Sequence, residues 1–135
     1  MATATRPAEA EGREGRREIL CQDLSVGLQG VIVIDDTTLG PGLGGVRYKP
    51  YASMVHAVTE CRRLAAAMTL KNAVAELPFG GAKSVIMADR PVADRAALMR
   101  RFGDFVAGAG GDYLPGVDMG TAVTDLALIS ESGAT

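Results

Sequence analysis

Four consecutive β-branched residues, Val31-Ile32-Val33-Ile34, constrain this chain more than any other segment. Successive side chains of a strand point to opposite faces, so a run that is apolar at every position reads as a strand buried on both faces. Residues 19–23 read as a short strand just before it, with Ser25-Val26-Gly27 as a turn, which predicts an antiparallel hairpin. Beyond Pro50 the period changes. Met54, Val58, Cys61, Ala65 and Met68 recur at helical spacing, and Ala57 and Leu64 widen the stripe. This predicts a helix from about Ser53, its N-cap, to about Lys71, with a further helical turn ended by Pro78. Gly80-Gly81 reads as a turn and Ala82 to Met87 as another strand. Residues 92–107 again look helical, with Ala96, Leu98, Met99, Phe102, Phe105 and Val106 as the apolar face. Residues 113–117 read as a short strand, and Thr121 or Thr124 as the cap of a last helix. Strands alternating with helices predict an α/β fold, a layered sandwich with a mixed sheet flanked by helices.

The 135 residues suit one domain of ordinary size. Fourteen Lys and Arg against 16 Asp and Glu leave a net charge of −2, which gives no support to nucleic-acid binding. Apolar runs are too short for a transmembrane helix, and the polar N-terminus lacks the apolar centre of a signal peptide. Cys21 and Cys61 are too few for a disulfide framework, so both are expected as buried small hydrophobes in a cytoplasmic protein. One histidine, His56, beside two cysteines is a poor basis for a metal site. Residues 1–18 balance four arginines against four glutamates and carry almost no large apolar side chain. They are expected as a disordered tail, with a nascent helix near 11–18. The folded domain is then 19–135.

Two glycine motifs resemble nucleotide sites and fail on context. Residues 37–45 read as a glycine-rich loop in which Gly40, Gly42 and Gly45 satisfy G-x-G-x-x-G. A dinucleotide site needs a helix opening at the motif, and extended chain ending at Pro50 follows instead. In Gly80-Gly81-Ala82-Lys83-Ser84, alanine occupies a required P-loop glycine and the lysine enters a strand. The lysines carry more. Lys71 and Lys83 lie twelve residues apart in apolar, glycine-rich surroundings, where lysine is unusual. If they converge on one pocket, repulsion and desolvation favour a neutral amine that acts as general base, while the partner holds an anion. The alternative is two solvated lysines at element ends. Asp118, in Gly116-Val117-Asp118-Met119-Gly120-Thr121, fits either an N-cap or a group projecting into a cleft above the strand ends. Arg62-Arg63 and Arg100-Arg101 read as solvated helix faces.

Taken together, the segments Cys21-Gln22-Asp23, 36–47, Met68-Thr69-Leu70-Lys71-Asn72-Ala73, Gly80-Gly81-Ala82-Lys83 and Val117-Asp118-Met119-Gly120-Thr121 resemble the first domain of the glutamate/leucine/phenylalanine/valine dehydrogenases. They occur in the family's order over most of 19–130. The resemblance implies oxidative deamination of an L-amino acid to a 2-oxo acid and ammonia, with NAD as cofactor. It implies that Lys71 pairs with the substrate α-carboxylate, that Lys83 is the catalytic lysine activating water, and that Asp118 relays protons. It places Leu43, Gly44, Gly45, Met68 and Gly116 at the substrate pocket. Leucine and glycines at the side-chain loop cannot pair a second carboxylate, which favours leucine or valine as substrate, with phenylalanine as an alternative.

The same family continues into a Rossmann-type domain that binds NAD, and this sequence holds only the first domain. The expectation is therefore a chain that binds no NAD and lacks turnover alone, working with a separate NAD-binding domain or as a truncated product. The alternative is a non-catalytic module for amino-acid binding or oligomerisation. The family uses this domain for subunit contacts, so a homo-oligomer is expected, and the apolar strand Val31 to Ile34 would suit the interface. No nucleic-acid or membrane partner is expected.

Overall fold

The computed structural model describes residues 15–132. Five strands form one mixed sheet, in the order β1-β2-β4-β3-β5. In chain order the elements are β1 (Arg17–Asp23), β2 (Leu28–Asp36), β3 (Gly42–Lys49), α1 (Met54–Val74), β4 (Gly80–Met87), α2 (Arg95–Ala107), β5 (Tyr113–Val117) and α3 (Val123–Ile129). The first two strands form the expected antiparallel hairpin through the turn Leu24–Val26, where Gly27 adopts φ +77. β2 and β4 are also antiparallel, whereas β3 runs parallel to both β4 and β5.

The two faces of Val31 to Ile34 explain the layering. Val31 and Val33, with Val85, pack against Ala57, Cys61 and Ala65 of α1. Ile32 and Ile34 face the other way, into a cluster with Ile86, Leu98, Met99, Phe102, Val106, Tyr113 and Ile129. The sheet is thus covered by α1 on one side and by α2 and α3 on the other, a three-layer sandwich. This corrects the interface expectation. Val31 to Ile34 is at most 2% exposed within a single chain, because both of its faces are already covered.

Four boundaries differ from the sequence reading. β1 starts at Arg17, where the tail was expected to continue. Arg17 pairs with Ile34 across the sheet and with Asp112 through its side chain at 2.8 Å, and Glu18 pairs with Arg62, so ion pairs recruit residues without apolar side chains. That leaves no helix at 17–18, and the remainder of the expected tail, 1–14, lies outside the described residues. Gly42 to Gly45 belongs to β3, and Gly80-Gly81 opens β4 instead of turning the chain. Glycine is a poor strand former in isolation, so its pairing here depends on neighbours that approach closely. Ala122, not Thr121 or Thr124, is the N-cap of α3. Its backbone N–H donates to the Asp125 carboxylate at 2.9 Å.

The long helix begins as expected, with the Ser53 hydroxyl accepting from the His56 backbone N–H. Its inward residues are small, which brings it close to the sheet. Its far end is fastened twice. Thr69 Oγ1 donates to Asp35 Oδ2 at 2.6 Å, and buried Asn72 donates through Nδ2 to the carbonyls of Gly80 (2.7 Å) and Leu43 (3.3 Å). Among the described residues no helix is long and apolar enough to cross a membrane.

A Cβ added at Gly81 would overlap the backbone of Thr69, whereas one at Gly116 would meet nothing within 4 Å. Gly81→Ala is therefore expected to cost about 2 kcal/mol or more by pushing α1 off the sheet. Gly116→Ala should stay within about 0.5 kcal/mol of the unaltered chain. Urea unfolding of both variants checks the contrast; equal stabilities would contradict the close approach of α1 to β4.

Candidate functional site

Lys83 lies inside β4, between Ala82 and Ser84, and pairs across the sheet with Val33. Alternation puts Ala82 in the α2 cluster and Val85 in the α1 cluster, so the Lys83 side chain emerges beneath α1. The residue is only 6% exposed. A buried ammonium group requires a partner. It has one in Asp118, whose Oδ2 lies 3.4 Å from Lys83 Nζ.

Asp118 follows β5, two strands away from β4 in the sheet. Its loop is tied down on both sides. The Asp118 backbone N–H donates to Thr121 Oγ1, Thr121 donates on to the Val46 carbonyl at 2.7 Å, and the Met119 carbonyl accepts from Tyr48. The carboxylate also accepts from Arg47 Nε of β3 at 2.7 Å. Burial by itself pushes the Asp118 carboxyl up. The Arg47 hydrogen bond and the charges of Lys83 and Arg47 outweigh it and hold the carboxyl below the usual carboxylate range.

Of the sequence-predicted residues, the structure brings Lys83, Asp118 and Gly45 together. A Cβ at Gly45 would stand 2.7 Å from Asp118 Cβ, so the middle strand has to be bare for the carboxylate to reach across. Gly45 pairs with half-buried Gly116, and Leu43 with Leu114, which continues the same face toward the start of the strands. Gly44 does not share that face. A Cβ there would collide with the Ala82 carbonyl, and its own carbonyl accepts from the buried Tyr113 hydroxyl at 2.9 Å. It supports the strand and offers no open surface.

Lys71 is exposed on the last turns of α1, and its side chain makes no hydrogen bond or ion pair with another described residue. The expected crowding of two ammonium groups is therefore not what surrounds Lys83; its charged neighbour is a carboxylate. Asn72 nevertheless anchors the Lys71 turn over Leu43 and Gly80, three residues, or about 10 Å, along β4 from Lys83. Met68 is half-buried on the same helix. Sequence reasoning gave no role to Arg47 or Asn72, although both lie within the quoted motifs. The alternation of Arg47 with Gly45 along one strand was the available signal for its face, whereas its meeting with Asp118 depends on the β3–β5 register.

The other candidates resolve simply. Cys61 of α1 faces β4, and its thiol contacts the Lys83 carbonyl at 3.3 Å. Burial pushes that thiol up, so it stays protonated and is no nucleophile. Burial likewise pushes Cys21 up to about 12. His56 is exposed at the start of α1. Arg62 is not simply solvated, since it holds Glu18 of β1.

With this geometry in place, comparison with known proteins is informative. Residues 19–134 match the family model described as the Glu/Leu/Phe/Val dehydrogenase dimerisation domain. The valine dehydrogenase of Streptomyces coelicolor is 44% identical over 112 residues, 83% of this chain and 31% of that protein. The leucine dehydrogenase of Geobacillus stearothermophilus is 45% identical over 111 residues, 82% of this chain and 30% of that protein. The solved L-tryptophan dehydrogenase from Nostoc punctiforme superposes with a TM-score of 0.81 at 32% identity, covering 95% of this chain and 38% of that one. The chain spans less than two fifths of each of these proteins.

Asp118 titrates lower in the folded chain than an ordinary carboxylate does. Its contribution to stability is therefore present above the unfolded-state value and lost as pH falls through the folded one. Thermal unfolding from neutral pH down to pH 3 is expected to show an acid-induced loss of stability that is shallower in Asp118→Asn. An identical acid limb in the variant would show that the carboxylate is not held as described.

Proposed function

This chain belongs to the Glu/Leu/Phe/Val dehydrogenase family through its dimerisation domain, and from that membership we propose that it carries the substrate-binding and catalytic-lysine part of an amino-acid dehydrogenase acting on a branched-chain L-amino acid. The observation that carries the reading is buried Lys83 facing Asp118 at 3.4 Å beside the bare strand position Gly45. The reaction is oxidative deamination to a 2-oxo acid and ammonia. Lys71 holds the α-carboxylate at the exposed rim. Lys83, once it has given its proton to Asp118, takes one from the water that adds to the imine carbon and then, as an ammonium again, stabilises charge on the resulting oxygen. Asp118, within reach of Lys83, passes protons to and from the amino nitrogen.

To Leu43, Gly45, Gly116 and half-buried Met68 we assign an apolar recess for the substrate side chain. None of them can pair a second carboxylate, so leucine and valine suit the site and glutamate does not. Phenylalanine remains the alternative. Gly44 supports the recess through its strand.

NAD is the hydride acceptor in the complete family enzyme. Among the described residues the glycine motif does not fit it. Gly40 has φ +145 and packs against Pro78, while Gly42 and Gly45 lie within β3, which continues as extended chain. No helix opens there to receive a pyrophosphate. No step here runs through the cofactor, and turnover requires an NAD-binding domain in addition to these residues.

A second reading is a non-catalytic module that binds amino acids or assembles subunits. It keeps the same residues, and the family description as a dimerisation domain favours it. Self-association as a homo-oligomer belongs to both readings. The free, buried cysteines suit a reducing compartment, and we place the protein in the cytoplasm.

Two experiments test this. L-leucine and L-valine are expected to shift the amide resonances of Gly45, Lys83 and Gly116, L-glutamate to leave them unmoved, and Gly116→Ala to weaken the leucine response several-fold. Shifts confined to other residues would overturn the site. The chain alone, given leucine and NAD, is expected to form no NADH; Lys83→Ala in a complete two-domain context should lose nearly all turnover, and retained turnover contradicts its role.

A further inference from the structure

We propose that Arg47 is a positioning residue for this site: it fixes the Asp118 carboxylate from β3, held in turn by Glu60 and Tyr51, so that Lys83 is left loosely engaged and available to substrate. This rests on the reading of Lys83 and Asp118 given above. Both cations contact one oxygen, Asp118 Oδ2, but unequally. Arg47 Nε lies at 2.7 Å and Lys83 Nζ at 3.4 Å. Arginine is the better anchor, because its guanidinium is planar, keeps its charge and presents its donors in a rigid fork. Lysine's ammonium is a compact charge on a flexible stem. With Lys83 as its only partner, the carboxylate would close on it and occupy the amine that the chemistry needs.

Arg47 is fixed at its other end. Its Nη1 meets Glu60 Oε1 of α1 at 3.5 Å. The same oxygen accepts from the Tyr51 hydroxyl and faces Lys49 Nζ at 3.6 Å, while Glu60 Oε2 faces Arg63. The Tyr51 hydrogen bond holds the Glu60 carboxyl low despite partial burial, with Lys49 and Arg47 adding to it. Charges therefore alternate from the interior outward: Lys83, Asp118, Arg47, Glu60, Lys49. Arg47 is itself largely covered, with its side chain 16% exposed between two carboxylates. An arginine serving only solubility has no reason to lie there.

The groups facing Asp118 are Arg47 from β3 and Lys83 from β4, with Glu60 of α1 reaching it only through Arg47. Titration of the Asp118 carboxyl carbon by NMR in this chain is the test. In Arg47→Met its midpoint is expected to move up, and in Arg47→Lys, which keeps the charge without the fork, to return part of the way. A role confined to holding the fold would lower the melting temperature and leave the midpoint in place, and that result overturns the proposal. Should Arg47→Met fail to fold, the unaltered chain decides. The Arg47 Nε–H resonance and the Asp118 carboxyl must then titrate with one midpoint, and separate midpoints overturn the assignment. The titration needs no substrate, so its failure counts against Arg47 alone, whereas absence of leucine binding by the unaltered chain counts against the functional reading.

Discussion

An ammonium group buried inside a sheet is the constraint around which this domain is arranged. Lys83 has almost no access to water, and an isolated charge so placed is too costly to keep. Its compensation arrives from far along the sequence. β3 and β5 run parallel to β4, so the chain leaving β5 turns over the same face from which Lys83 emerges. Between them stands a strand position without a side chain. Any larger residue at Gly45 would press on Asp118 and separate acid from amine. The charged pair, the parallel order and the bare strand therefore depend on one another.

Helix α1 connects this pair to the stability of the fold. It buries the sheet with alanine and cysteine, residues small enough to bring its backbone close. The same approach places Cys61 against the Lys83 carbonyl, Asn72 against the starts of β3 and β4, and Glu60 next to Arg47. Packing and site are not separate layers of design here. The helix that covers the core also covers the sheet face from which Lys83 emerges, and its final turns carry the exposed Lys71.

Membership of the Glu/Leu/Phe/Val dehydrogenase family gives this arrangement a chemical context. What the structure shows of that context is an amine and a carboxyl in contact beside a bare strand position. A chain of alternating charges behind Asp118 keeps the acid from being a simple salt-bridge partner of the lysine. Among the described residues the glycine motif forms no dinucleotide site, because Gly42 and Gly45 lie within β3.

Much of this was legible in the amino-acid sequence. Two periodicities, the doubly buried run Val31 to Ile34 and the helical stripe beginning at Met54, determined the α/β class and the existence of each major element, because burial on a pleated or helical surface imposes its own spacing. The motif residues Lys83 and Asp118 were likewise visible as charges in apolar, glycine-rich surroundings. The glycines are where sequence and structure part: Gly42 to Gly45 and Gly80-Gly81 have loop and turn propensity yet lie in strands, since local propensity is silent about a strand whose neighbour needs the room of a missing Cβ. The run Val31 to Ile34 was offered to a subunit interface for a similar reason: pattern shows that both faces are covered, not by what. Tertiary structure alone decided that Lys83 meets a carboxylate and not Lys71, that Gly44 turns away, and that Arg47 stands behind Asp118. Each of those outcomes depends on strand order and register, which join residues separated by up to 71 positions and leave no trace in the spacing of either.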